Sequence, residues 1–289
     1  MILNRLGVIT DEISPVLTEA LDWIRAEGLR YAEIRMVDGK NVAALTDDEV
    51  DRVRREAEAR GLSISGVASP LFKCALDPLR EVETGDRFGQ AEESVEAHFG
   101  KLARVLDIAE RLGTRFIRIF SFWRERMPEL YADEIAAHLS RAAAMAEARG
   151  LVLLLENERS CNGGYAAEVA AYVKAVDSPS LRALWDPGNE AQSPTWSFPR
   201  DYETVRDALA HVHIKDSYID ASGKPHCVPV GQGRVPYAEQ IRLLEADGYR
   251  GLYIIETHYV PPGGTKADGT KQTLDGLRVA LGVYAGGRT

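Results

Sequence analysis

The sequence predicts an α/β protein, a single-domain (β/α)8 barrel spanning residues 1–289. Three observations lead to that fold class. Short apolar runs alternate with amphipathic stretches eight times along the chain. A chain of 289 residues suits one such barrel, for which about 250 are typical. Several apolar runs in the second half close on an acid or a histidine, and a barrel carries its chemistry at the ends of its parallel strands. An open doubly wound sheet shares the alternation, but eight regular units exceed its usual count of about five or six.

RLGVIT (5–10) reads as the first strand. Asp11, Glu12 and Ser14-Pro15 then open a helix to about Glu27, with Leu17, Ala20, Leu21 and Ile24 on one side and Gly28 as its stop. YAEIR (31–35) is the second strand. Thr46 caps the helix DDEVDRVRREAEAR, which Gly61 ends. LSISGVAS (62–69) is the third strand. The segment 70–90 behind it, with Phe72, Lys73 and Cys74, lacks a clear period, and segments of that length are often functional.

A helix over 91–112 places Phe99, Leu102, Val105, Leu106 and Ile108 at helical spacing and stops at Gly113. RFIRIFSF (115–122) is strand four, followed by an alanine-rich helix from Leu130 to Arg149. LVLLLE (151–156) is strand five, with a helix from Ala166 to Val176. LRALWD (181–186) is strand six, with a DPGN turn behind it and a helix at 201–209. HVHIKD (211–216) is strand seven. A Gly- and Pro-rich loop, 219–236, leads to a helix from Tyr237 to about Asp247. GLYIIE (251–256) is strand eight, and 271–284 a closing helix.

With 45% hydrophobic and 27% charged residues the chain reads as folded rather than disordered. Its longest apolar runs fall well short of the roughly 20 residues a membrane helix needs. MILNRLGVITDE lacks the basic region and cleavage site of a secretion signal, so a cytoplasmic location is expected. The net charge of −9, without any basic block, argues against nucleic acid as a partner. Cys74, Cys161 and Cys227 are odd in number and widely spaced, neither a disulfide framework nor a CxxC pair.

In HVHIKDS (211–217) side chains alternate, so His211, His213 and Lys215 share one face of the strand. The neighbouring runs end at Glu156, Asp186 and Glu256. Parallel barrel strands finish at one rim about 4.8 Å apart, so four consecutive strand ends can surround one ion. Three carboxylates facing inward repel each other unless a cation sits among them. Glu156, Asp186, His213 and Glu256 are therefore the expected metal ligands. His213 lies nearer the rim; His211 is expected beneath it as a hydrogen-bonded core histidine. Three oxygens and one imidazole suit Mn2+, Co2+ or Mg2+ better than a thiolate-type zinc site, with Zn2+ as a further option.

LLLENE, WDPGN, HVHIKD and IIETH, in this order, resemble the xylose isomerase-like barrel superfamily, and most of all its sugar phosphate isomerase/epimerase branch. TDEIS (10–14), AEIRMVDGKN (32–41), VASPLFK (67–73), IRIFSF (117–122) and VGQGRVPY (230–237) extend the likeness over nearly the whole chain. The resemblance implies one divalent ion on Glu156, Asp186, His213 and Glu256. It also implies that Glu156 and Glu256 exchange protons with opposite faces of the substrate, a small-molecule sugar or polyol-derived ketone. Dimers or tetramers are implied likewise. Where the family's ketose epimerases often carry a substrate-binding histidine stands Asn189, and where they carry an arginine stands Ile219. Both departures point away from a ketohexose 3-epimerase.

Such a site removes a proton α to a metal-polarised carbonyl, giving epimerisation or isomerisation. Loss of a β-hydroxyl from the same enolate would make the chain a lyase on a keto-inositol or dehydroshikimate-like substrate. Asn189, Lys215, Glu158, Arg35, His258 and His226 are candidate substrate contacts, Lys215 alternatively pairing with an acid such as Glu158. Lys73, Arg118, Arg124 and Arg159 are candidates for holding an anionic group, and Trp123 and Trp185 for lining the pocket. The GQG of 231–233 lacks a P-loop lysine and reads as a turn.

Overall fold

The computed structural model describes residues 2–282. Eight parallel strands close into a barrel: β1 (Leu6–Ile9), β2 (Tyr31–Ile34), β3 (Ser63–Leu71), β4 (Phe116–Ile119), β5 (Val152–Glu156), β6 (Leu181–Trp185), β7 (Leu209–Ile214) and β8 (Leu252–Ile255). Each strand pairs with its sequence neighbours, and β1 pairs with β8 through Leu6–Tyr253, Gly7–Ile254 and Val8–Ile255. Closure leaves no unpaired edge.

The helices are α1 (Leu17–Ala26), α2 (Asp47–Ala59), α3 (Val95–Leu112), α4 (Ala132–Glu147), α5 (Ala166–Val176), α6 (Pro187–Ala191), α7 (Arg200–Val205), α8 (Tyr237–Ala246) and α9 (Lys266–Ala280). Leu17, Ala20, Leu21 and Ile24 of α1, and Leu102, Val105, Leu106 and Ile108 of α3, are buried in the layer between helices and strands. This is the face their spacing predicts. Thr46 makes a reciprocal capping box with Glu49, and Ser94 caps α3.

Beside shifted boundaries, such as α3 beginning at Val95 rather than 91 and α7 ending at Val205 with Leu209 already in β7, four departures from the sequence reading stand out. Thr10–Glu12 form one 3-10 turn and α1 begins only at Leu17, because Arg35 draws the Asp11 and Glu12 carboxylates into the barrel mouth. The DPGN turn is the short helix α6, with the Asp186 side chain accepting from Asn189 N. The closing helix starts at Lys266, where Thr265 and Asp268 form a capping box; residues 283 and 284 of the expected helix lie outside the described residues. Two hairpins, Met36–Val37 with Lys40–Asn41 and Asp216–Ile219 with Pro225–Val228, stand outside the barrel. They are too short for a two-residue period to show in the sequence.

The long segment behind β3 is anchored where His98 Nδ1 accepts a hydrogen bond from Phe72 N at 2.9 Å. Burial pushes the His98 imidazole down to about 4. Above pH 6.5 the folded and unfolded chains both carry it neutral. Between pH 6.5 and 4 only the unfolded chain takes up the proton, so stability falls as pH falls, by up to about 3 kcal/mol. Urea unfolding across that range should show this loss. His98→Asn, which keeps an acceptor for Phe72 N, should remove that part of the slope.

Candidate metal and acid–base site

Inward-facing side chains of β2, β4 and β7 carry charge into the barrel mouth. Alternation puts Glu33 and Arg35 on one face of the β2 segment, Arg118 with Phe120 on that of β4, and His211, His213 and Lys215 on that of β7. All are buried. Glu156 ends β5, Asp186 follows β6 and Glu256 follows β8. Glu156, Asp186, His213 and Glu256 each offer a ligand atom, and these atoms lie within 4.8 Å of one another. The four residues singled out in the sequence are brought together.

Backbone clamps hold these ends. The Asn157 amide brackets Asp186, accepting from its N at 2.7 Å and donating to its O at 2.8 Å. Asn189 Nδ2 donates to Asn157 O at 2.9 Å, tying α6 to the end of β5. The Tyr237 hydroxyl brackets Lys215 likewise, accepting from its N and donating to its O. Ser217 Oγ donates to Gly188 O at 2.7 Å. The GQG segment is a turn: Gly231 N and Gly233 N donate to Asp216 Oδ2.

The acids are not left to repel one another. Lys215 Nζ lies 2.7 Å from Asp186 Oδ2, 3.1 Å from Glu256 Oε2 and 3.0 Å from Asn189 Oδ1. Arg118 Nη1 lies 3.2 Å from Glu156 Oε2 and 3.3 Å from Glu256 Oε1. Arg35 binds Asp11, Glu12 and, at 2.6 Å, Glu256 Oε1. Burial raises the Glu156 carboxyl, but Arg118 and His213 outweigh it and hold it below the usual range. Burial is likewise outweighed at Glu256, where Lys215 and His258 hold the carboxyl well below that range. At Asp186 burial prevails over Lys215 and the carboxyl is raised. His213 is raised well above its ordinary value, because Glu33 and Glu156 outweigh its desolvation.

Glu156 Oε2 has only the Arg118 ion pair at 3.2 Å beside it, and His213 Nδ1 is buried and makes no hydrogen bond. The nitrogen lies 3.3 Å from Glu156 Oε1 and 3.4 Å from Glu256 Oε2. Such unsatisfied atoms in a buried site call for a partner. Three oxygen donors and one imidazole nitrogen, all inward, fit a divalent cation of the oxygen-preferring class.

The remaining candidates fall at different places. Asn189 and Lys215 touch the acid cluster. His258 Nε2 lies 3.3 Å from Glu256 Oε1 at the rim, with its side chain about one-third exposed. Arg35 is locked among acids rather than free for a substrate anion. Glu158 pairs with Lys73 at 3.4 Å, not with Lys215. His226 is turned to Asp220 and stacks on Tyr218, on the hairpin face opposite Cys227. Arg124 binds Glu168 and two carbonyls, and Arg159 the Gln192 carbonyl. Trp185 donates to Glu190 and packs on Tyr202, and Trp123 donates to Glu92. Glu33 is absent from the site residues the sequence suggests, and Asp11 and Glu12 figure there only as the start of a helix. The signal for Glu33 is a charge flanked by apolar residues on the same strand face as Arg35.

A family model described as a xylose isomerase-like TIM barrel matches residues 21–280. The chain belongs to that family. It is 32% identical over 138 residues to a 2-epi-5-epi-valiolone 7-phosphate 2-epimerase of an Actinoplanes species, a match covering 46% of this chain and 48% of that protein. The chain thus spans about half the length of that relative. Among solved structures it is similar to 3-keto-D-glucoside 4-epimerase from E. coli, with 18% identity, 95% and 99% of the two chains covered, and a TM-score of 0.70. It is also similar to a xylose isomerase-like TIM barrel protein from Mycobacterium smegmatis in complex with magnesium, with 19% identity, 93% and 89% covered, and a TM-score of 0.69. At these identities the two structures show the shared fold. No helix among the described residues is long and apolar enough to cross a membrane.

Gly188 sets how closely α6 approaches Lys215. A Cβ there would meet Lys215 O at 2.2 Å. Gly188→Ala should therefore lower the urea midpoint by the equivalent of about 1–3 kcal/mol through overpacking. Gly100 in α3 has open space around it. Gly100→Ala should raise the midpoint, by up to about 1 kcal/mol.

Proposed function

We propose that this chain is an epimerase or isomerase of a keto-sugar or related polyhydroxy carbonyl compound. In this reading one divalent ion, Mn2+, Co2+ or Mg2+ with Zn2+ as an alternative, is held by Glu156, Asp186, His213 and Glu256. The observation that carries the proposal is the pair of buried carboxylates, Glu156 and Glu256, kept ionised on either side of the unsatisfied His213 Nδ1. The valiolone phosphate epimerase among its relatives supports a sugar or polyol-derived ketone as the substrate class. The magnesium-bound neighbour supports a hard divalent ion. A cytoplasmic protein assembling into dimers or tetramers fits the same reading.

When bound, the ion supplies Lewis acidity toward a carbonyl oxygen. The chain's own groups manage the proton. Glu156, as a carboxylate beside Arg118, is the base for the proton α to the carbonyl, provided that carbon is held near 3 Å. Glu256 serves the other face. Glu156 takes the proton from one face and releases it to solvent, and Glu256, once it has taken up a solvent proton, delivers it to the other face, which inverts the carbon. Delivery to the former carbonyl carbon, with the hydroxyl proton passing to the neighbouring oxygen, isomerises the sugar. Asn189 Nδ2 has one N–H beyond its bond to Asn157 O to offer a substrate oxygen. Lys215 holds Asp186, Asn189 and Glu256 in place, and His258 stands at the rim where a ligand enters. Burial of the cluster excludes bulk water, which strengthens each of these interactions.

Incubation of the Mn2+-loaded protein with keto-sugars and keto-inositols in D2O tests the proposal. Solvent deuterium should appear at the carbon next to the carbonyl without loss of water. Glu156→Gln and Glu256→Gln should each lower kcat by about 10²–10⁴-fold. An ultraviolet-absorbing enone would indicate a lyase instead, and tight sugar binding without carbon–hydrogen exchange would defeat the enzymatic reading.

A further inference from the structure

Beneath the acid ring, Glu33 joins the two histidines of β7. Its Oε1 lies 2.9 Å from His213 Nε2 and its Oε2 2.9 Å from His211 Nε2. Ser65 Oγ donates to Oε2 at 3.3 Å. All four side chains are buried. The other acids of the mouth are engaged by Arg35, Arg118 and Lys215. Glu33 is engaged by two imidazoles and a hydroxyl.

We propose that Glu33 is a positioning residue: it fixes the His213 ring so that Nε2 carries hydrogen and Nδ1 is the atom presented to Glu156 and Glu256. A carboxylate only accepts hydrogen bonds, so both imidazole Nε2 atoms facing it must be N–H donors. That leaves Nδ1 of His213 as the ring nitrogen that an ion can take in exchange for the proton it carries, and Nδ1 is the atom without a hydrogen bond. His211 completes the arrangement. By occupying Oε2 it holds the carboxylate in one orientation, so Oε1 stays on His213. The inference rests on the proposed ion site and adds to it which nitrogen is used and what selects it. Carboxylates that orient a ligating histidine in this way typically change metal affinity about 10–100-fold when removed.

Two measurements test it. The first uses wild-type protein labelled with 15N-histidine and titrated with Mg2+. The His213 Nδ1 resonance should move while Nε2 keeps its proton and its position; movement of Nε2 instead would overturn the proposal. The second measures Mn2+ binding from the electron paramagnetic resonance of the free ion. Glu33→Ala should raise the dissociation constant about 10–100-fold while unfolding remains cooperative. Glu33→Gln keeps the volume but has one accepting oxygen for two N–H donors, and should fall between Glu33→Ala and wild type. Glu33→Ala binding Mn2+ within twofold of wild type defeats the role of Glu33 and leaves the proposed function standing. Failure of wild type to bind Mn2+ defeats the proposed function itself.

Discussion

Charge compensation inside a closed barrel is the constraint on which the rest of this structure depends. Glu33, Glu156, Asp186 and Glu256 are almost wholly removed from water. An isolated carboxylate in such a place would be strongly destabilising. Each one is met by a cation or an N–H donor from another strand: Arg118 from β4, Lys215 from the end of β7, Arg35 from the end of β2, and the two histidines of β7. The strands are thus cross-linked through their polar ends as well as through the apolar layer beneath the helices. Removing one partner would leave another charge buried and unpaired, which costs more than the pair contributes.

The same arrangement decides what the mouth is able to do. Lys215 and Arg118 keep carboxylates ionised that burial alone would neutralise, so bases are present without an open, solvated cleft. The cluster is over-supplied with oxygen donors around His213 Nδ1, and the proposed ion answers that imbalance. Arg35 works differently. It is bound to Asp11, Glu12 and Glu256 together, and the first helix starts only at Leu17, beyond the two acids it holds.

Rigid clamps at the strand ends turn this chemistry into geometry. Asn157 spans β5 and β6 by bracketing the Asp186 backbone, and Tyr237 does the same for Lys215 from α8. Both act on main-chain groups, so the side chains they position stay free to face inward. Gly188 allows α6 to pack directly on the Lys215 carbonyl, where any side chain would intrude. Asp216, accepting several backbone N–H groups, gathers the loop between its hairpin and α8 into a compact turn.

The sequence alone determined the barrel, its eight strands and the four strand-end residues Glu156, Asp186, His213 and Glu256. Those features repeat at regular intervals, and the parity of a strand assigns each side chain to a face. It also carried the likeness to the xylose isomerase-like family, through motifs at those same strand ends. Only the tertiary structure decided the partners of the charges. That Glu158 meets Lys73, that Arg35 is consumed by three acids, that His226 turns outward and that Glu33 pins His213 all depend on distances between residues far apart in the chain. Local periodicity holds no information about such distances, because it is barrel closure that brings β2 and β7 face to face across the interior.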